Sequence, residues 1–129
     1  SIKPVNGWLT SGFGKRISPF TGGADFHTGI DIANASGTEI IATGNGRVSK
    51  ASSKRIIGKR VAIDHGYGYV TQYGHMKKIF VTVGQKVKRG DVIGLVGKTG
   101  RTTGPHLHYE VLVNGTPVNP LKYILDSEF

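Results

Sequence analysis

The chain has 129 residues, of which 37% are hydrophobic, and this suits one globular domain and excludes a polytopic membrane protein. No apolar run approaches the roughly 18 residues that a membrane-spanning helix requires. The absence of cysteine excludes disulfide frameworks and thiolate metal sites, and the formal net charge of +9 favours an anionic partner such as nucleic acid, an acidic membrane or a polyanionic cell wall.

The chain begins at Ser1 without an initiator methionine or a secretory signal. No linker, repeat or low-complexity segment divides the residues that follow. We therefore expect residues 1–129 to form a single domain that was excised from a longer chain carrying the targeting information.

Glycine is unusually frequent, with 20 residues, and it separates short runs that are rich in β-branched and aromatic residues. Such runs, each bounded by Gly, Asn or Pro, predict an all-β domain of short antiparallel strands. In chain order the predicted strands are residues 38–42, 46–51, 60–64, 69–73, 92–96 and 108–113.

Residues 81–93 predict a hammerhead-like segment, in which a strand, a Gly turn, a short strand, a second Gly turn and another strand follow one another. Biotinyl and lipoyl carrier domains share this pattern, but they need a lysine at a hairpin tip, and Lys77 fits that requirement poorly. The sequence predicts one short helix, from Pro120 to Leu125, with Asn119 as its N-cap and proline in its first turn.

The first candidate for chemistry is the pair His27 and Asp31. Their side chains share a face of a helix, because they are four residues apart, and also share a face of an extended chain. Gly29 and the apolar neighbours favour a strand or a turn. Either geometry brings together an imidazole and a carboxylate, which are good zinc ligands.

The second candidate is the pair His106 and His108. In a strand both imidazoles point to the face opposite Leu107, with Cβ atoms roughly 6–7 Å apart. Glu110 continues the alternation on that face, either as a partner of these histidines or as an ordinary solvent-facing residue.

The two remaining histidines differ in their settings. His75 ends an aromatic strand, and only the fold can bring it to the other candidates. His65 lies in the turn 64–66, where we expect a structural or surface role. The patterns at residues 27–31, 75 and 106–108 together predict a catalytic zinc site, because such sites commonly combine histidine with carboxylate.

Three motifs, at residues 26–31, 73–75 and 104–110, resemble those of the lysostaphin- and LytM-type cell-wall metallopeptidases. Gly74 is a minor departure, since the family more often has alanine there. The resemblance covers nearly the whole chain and includes further motifs at residues 11–16, 84–87, 97–100 and 118–120. It implies a small antiparallel β fold with a substrate groove and hydrolysis of peptide bonds in peptidoglycan.

The resemblance implies one zinc ion per chain, held by His27, Asp31 and His108. It also implies that His75 and His106 form the catalytic pair, without indicating which is the base and which the acid. No ligand position is substituted. The sequence lacks the His-Glu-x-x-His helix that supplies a glutamate base in many zinc proteases, so these two histidines are the candidates for proton transfer.

We therefore interpret the chain as a bacterial zinc metalloendopeptidase domain that hydrolyses cross-links or stem peptides of peptidoglycan by zinc-activated water. We expect a monomer that acts outside the cytoplasm, in the periplasm, in the cell envelope or as a secreted protein. Its expected partners are peptidoglycan and anionic wall polymers. Nucleic acid is disfavoured, because no nucleic-acid motif is present. The alternative is a catalytically silent wall-binding or hydrolase-activator module of the same fold, against which the intact ligand set argues.

Overall fold

The computed structural model describes residues 2–124, which are mostly β-strand and contain one short 3₁₀ helix. The strands are β1 (Trp8–Ser11), β2 (Gly14–Ile17), β3 (Ala24–His27), β4 (Ile30–Ala33), β5 (Glu39–Ile41), β6 (Gly46–Lys54), β7 (Gly58–Gly66), β8 (Tyr69–Ile79), β9 (Lys86–Val87), β10 (Val92–Val96), β11 (His106–Val113) and β12 (Thr116–Val118). The helix is Pro120–Tyr123. Over these residues the structure has no helix with the length and apolar character needed to cross a membrane.

One antiparallel sheet of ten strands organises the fold, with the order β1-β4-β11-β8-β7-β6-β9 along its main path. Strand β10 pairs with both β5 and β8, strand β12 pairs with β11, and β2 and β3 form a separate two-stranded sheet. Strand β11 lies between β4 and β8, so that His108 pairs with Asp31 on one side and with Gly74 on the other. This register brings the three predicted motifs into neighbouring strands.

The two faces of β11 have different roles, as the period of two in a strand requires. Leu107, Tyr109 and Val111 are buried in the hydrophobic core, where they pack with residues such as Ile30 of β4. The two histidines of β11 and Glu110 alternate with them and face the opposite side of the sheet. The core therefore supports the strand without competing for the face that carries the candidate site.

A chain of hydroxyl groups crosses the core. The side-chain oxygen of Thr43 lies 3.0 Å from the hydroxyl of Tyr73 and 2.8 Å from that of Tyr109. The Tyr73 hydroxyl also lies 2.8 Å from Oγ1 of Thr71. Burial raises the pKa of both tyrosines, so their hydroxyls stay protonated and need hydrogen-bond partners.

The predicted all-β, antiparallel fold is confirmed, and each predicted strand has a counterpart in the sheet. Several strands are longer than predicted: β8 continues to Ile79 and β11 begins at His106. Asn119 caps the helix, since its Oδ1 accepts a hydrogen bond from the backbone N–H of Leu121 at 3.1 Å. The helix is 3₁₀ and ends at Tyr123, and the predicted last residue, Leu125, lies outside the described residues.

The prediction for residues 81–93 is partly wrong. Residues 81–83 form no strand, because β8 ends before them and the N–H of Gln85 closes a turn on the carbonyl of Thr82. The later parts of the segment are β9 and β10. Lys77 lies within β8 and not at a hairpin tip, which counts against the carrier-domain alternative.

We expect Thr43→Val to destabilise the fold, because it leaves the buried Tyr109 hydroxyl without its partner. A buried hydroxyl that loses its hydrogen bond costs about 1–3 kcal/mol. Adding Tyr109→Phe should recover part of this loss, since both partners are then apolar. The free energy of unfolding, measured in urea, tests this, and Thr82→Val at an exposed position is the control. A Thr43→Val protein as stable as wild type would show that the hydroxyl chain contributes nothing.

Candidate metal centre and groove

A tight turn joins two of the candidate ligands. His27 ends β3 and Asp31 lies in β4, with Thr28 and Gly29 between the strands. A Cβ atom at Gly29 would collide with the backbone carbonyl of Tyr109. Glycine at this position therefore lets the turn pack directly against β11, which carries the third candidate ligand.

The donor atoms of His27, Asp31 and His108 converge. Oδ1 of Asp31 lies 3.2 Å from Nε2 of His27 and 2.9 Å from Nδ1 of His108. One ligand atom from each residue lies within 4.8 Å of the others. Ligands that bind tetrahedral zinc at 2.0–2.1 Å are roughly 3.3 Å apart, so both spacings to Asp31 are close to those of a zinc site. Two imidazole nitrogens and one carboxylate oxygen fit this metal.

Backbone carbonyls orient three of the four histidines around the site. A carbonyl oxygen only accepts a hydrogen bond, so each of these imidazoles carries its proton on Nδ1 and leaves the lone pair of Nε2 free. The pairs are His27 with Gly12 at 2.8 Å, His75 with Thr99 at 2.7 Å and His106 with Gly104 at 2.9 Å. The backbone therefore presents Nε2 of His27 to Asp31.

His75 reaches the site through an unusual backbone conformation. Its φ angle is +59°, in the left-handed region that residues other than glycine rarely adopt. Its N–H donates to the carbonyl of Ile57 at 2.7 Å, which fixes this bend in β8. The ring centre of His75 lies 4.7 Å from that of His106, whose Nε2 is 3.6 Å from Oδ1 of Asp31. The two histidines thus sit side by side next to the candidate ligands.

The pKa values follow from burial and from charges in contact. Burial alone would raise the pKa of Asp31, but the contacts of its carboxylate with the side chains of His108 and His27 outweigh burial and hold this pKa well below its usual range. Burial opposes protonation of His108, yet Asp31 and Glu110 outweigh it and raise the pKa to about 9. Burial lowers the pKa of His75, so this imidazole is neutral at neutral pH and able to accept a proton.

The site residues line a groove with a cavity of about 470 Å³. Phe20, Phe26, Ile56 and Ile57 contribute apolar surface to its lining. The guanidinium of Arg101 lies 4.3 Å from the centre of the Phe20 ring, at a distance typical of a cation–π contact.

Arg16 is a further residue of the site, and its sequence position alone predicted no role for it. Its Nε donates to Asp25 at 3.1 Å and its Nη1 to Ser11 at 2.9 Å. The same Nη1 is 3.7 Å from Oδ2 of Asp31. Arg16 and Asp25 face each other across the β2–β3 ladder. The sequence carries a signal for this pair, because the two residues have opposite charges and lie equally far from the turn at residues 18–23.

The structure brings all five predicted site residues to this groove and leaves His65 apart. His65 Nδ1 lies 2.7 Å from the carbonyl oxygen of Asn45, and its Nε2 lies 2.7 Å from Oγ1 of Thr71. Both ring nitrogens are therefore used within the fold, as expected for a structural histidine. The roles of the five groove residues as ligands or catalytic groups stay predictions.

Residues 25–120 match the profile of peptidase family M23. The chain is 47% identical over 108 residues to the peptidoglycan DD-endopeptidase ShyA of Vibrio cholerae, an alignment that covers 84% of this chain and 25% of ShyA. The chain thus spans about a quarter of the length of that curated relative.

Two solved structures show the same fold. A zinc-containing peptidase from Vibrio cholerae aligns with a TM-score of 0.84 and 45% identity, over 90% of this chain and 37% of that one. The catalytic domain of the antimicrobial peptidase lysostaphin from Staphylococcus simulans aligns with a TM-score of 0.83 and 31% identity, over 92% of both chains. The second alignment therefore spans nearly the whole of that catalytic domain.

We expect one tightly bound zinc ion per chain and its loss in His27→Ala, Asp31→Ala and His108→Ala. Removal of any donor from a three-ligand site leaves too few protein ligands to hold the ion. Elemental analysis after gel filtration at a buffered free zinc concentration measures this, with His65→Ala as the control. A variant that keeps stoichiometric zinc would show that its residue is not a ligand.

Proposed function

This chain belongs to peptidase family M23, and we propose that it is the catalytic domain of a zinc-dependent endopeptidase that hydrolyses peptide bonds in peptidoglycan. The observation that carries the proposal is the convergence of one carboxylate and four imidazoles in one groove. The names of the relatives support the substrate, since ShyA is a peptidoglycan DD-endopeptidase. We further propose action outside the cytoplasm, where that polymer lies.

Three residues would hold the metal: His27 through Nε2, Asp31 through its carboxylate and His108 through Nδ1. When bound, zinc supplies a Lewis acid that polarises the amide carbonyl and lowers the pKa of a coordinated water to about 7. The contact between Arg16 and Oδ2 of Asp31 leaves Oδ1 directed at both histidine ligands.

His75 and His106 would move the protons. Their Nδ1–H groups are held by backbone carbonyls, so Nε2 of each ring is free to face the substrate. One imidazole is neutral and takes a proton from the attacking water on its Nε2. The other, in its doubly protonated form, donates its Nε2–H to the carbonyl oxygen as negative charge develops there. The proton from the water then passes to the leaving amide nitrogen, which departs as an amine.

The direct test is turnover on purified peptidoglycan. The protein, with and without a zinc chelator, is incubated with the polymer, and mass spectrometry identifies the released fragments. New pairs of peptide amino and carboxyl termini that depend on zinc support the proposal. Binding to the polymer without any new termini would instead identify the silent wall-binding or activator module.

His75→Ala and His106→Ala should each keep zinc and the fold but lose most of the activity. General acid–base catalysis typically contributes about 10²–10⁴-fold, and this is the expected loss in kcat/KM. His65→Ala should stay close to wild type when assayed well below its melting temperature. Near wild-type turnover of either groove variant would assign a structural role to that histidine.

Salt should slow the capture of intact polymer and not the chemistry. The formal net charge is +9, and peptidoglycan carries free carboxylates. Attraction between such charges raises encounter rates and is screened beyond about 10 Å at 0.1 M salt. We therefore expect the solubilisation of intact sacculi to fall steeply with salt, while cleavage of a short neutral peptide stays nearly constant.

Both rates are to be measured across one salt series at constant free zinc. A parallel decline would mean that salt acts on the metal site or the fold. Constant rates for both substrates would mean that the basic surface does not steer the polymer.

A further inference from the structure

His108 differs from the other histidines of the groove in what holds its second nitrogen. His27, His75 and His106 each donate Nδ1–H to a backbone carbonyl, which no side-chain substitution removes. His108 instead places Nε2 at 3.3 Å from Oε1 of Glu110. The orientation and tautomer of this one imidazole therefore depend on a side chain.

The oxygen of Glu110 that faces His108 is also held by a second side chain. Glu110 is buried, and its Oε1 accepts a hydrogen bond from Nε2 of Gln72 at 3.0 Å. The two residues are direct partners in the β11–β8 ladder. The other end of the Gln72 amide is fixed as well, since its Oε1 lies 3.4 Å from Nη1 of Arg60. A row of side chains on three adjacent strands thus ends at the imidazole.

The position of Glu110 is that of a supporting group and not of a metal ligand. Its carboxylate faces Nε2 of His108, whereas Nδ1 on the other side of the ring faces Asp31. The lone pairs of the two ring nitrogens point in different directions. Glu110 also lies outside the group of three residues whose donor atoms converge.

We propose that Glu110 is a positioning residue that accepts the Nε2–H of His108 and thereby reserves Nδ1 for the metal. This inference rests on the zinc site of the proposed function. A carboxylate on the second nitrogen fixes the ring orientation and makes the imidazole a stronger donor. Without it, the neutral imidazole is free to carry its proton on Nδ1, the atom that must be unprotonated to bind zinc.

The test uses Glu110→Ala, Glu110→Gln and Gln72→Ala, with Glu39→Ala as a control that removes an exposed carboxylate elsewhere. Zinc affinity is measured by competition with a chelator, and ¹⁵N NMR of the zinc-bound protein reports which nitrogen of each imidazole carries a proton. Loss of such a supporting group typically costs about 10–100-fold in metal affinity. We expect this loss in Glu110→Ala, with the histidine signals other than that of His108 unchanged.

Glu110→Gln keeps an acceptor oxygen, so its affinity should lie closer to wild type than that of Glu110→Ala. Gln72→Ala should weaken binding by less, because the carboxylate remains. Wild-type zinc affinity in Glu110→Ala, or equal losses in the Ala and Gln variants, would overturn the proposal. If Glu110→Ala does not fold, the zinc affinities of Glu110→Gln and Gln72→Ala are compared with that of the Glu39→Ala control. Wild-type affinity in both variants would then overturn the proposal.

These measurements are independent of peptide cleavage. A protein that binds zinc in a Glu110-dependent way but cuts no peptide would contradict the proposed function and support the positioning role. A protein that cuts peptidoglycan, but whose Glu110→Ala variant keeps the zinc affinity of wild type, would support the proposed function and contradict the positioning role.

Discussion

The register of β11 between β4 and β8 is the constraint on which the rest of the site depends. It places His108 opposite Asp31 on one side and opposite Gly74 on the other. A slip of one residue would turn the histidines of β11 into the core and expose Leu107 and Tyr109. The hydrophobic effect acting on these core residues therefore fixes which face of β11 carries His106 and His108.

Backbone carbonyls orient the imidazole rings that the strand register brings together. Three imidazoles are oriented by carbonyls of loops, and a loop that is displaced would lose both the hydrogen bond and the ring orientation. The bend at His75 shows the cost of this arrangement, since a non-glycine residue with φ of +59° is held there by the carbonyls of Ile57 and Thr99. Backbone strain of this kind persists only when neighbouring contacts fix it. Gly74 allows β8 to pack closely against Ile57, because a Cβ atom at that position would collide with the Ile57 side chain.

The sequence was sufficient for features that depend on local spacing. The alternation in His106-Leu107-His108 predicted a shared face, and the Asn119-Pro120 pair predicted a cap. The resemblance to a known family, and not spacing, separated the expected ligand His108 from the expected catalytic residue His106. The sequence could not predict the partners of the imidazoles, since Gly12 and Thr99 are ordinary loop residues until the fold brings their carbonyls to the rings. The strand expected at residues 81–83 failed for a similar reason: β8 continues to Ile79 and a turn at Gln85 follows closely.

The distribution of charge separates the groove from the surface around it. Within the groove each acidic side chain has a partner at short range: Asp25 pairs with Arg16, and Asp31 and Glu110 contact His108. The positive field at long range is set by the excess of 17 Lys and Arg over 8 Asp and Glu, which gives a formal net charge of +9. That field extends over a Debye length, whereas the contacts inside the groove act over a few ångströms and are poorly screened by salt. The long-range field of the domain can therefore favour an anionic polymer, while the protonation states within the groove depend on contacts between neighbouring side chains.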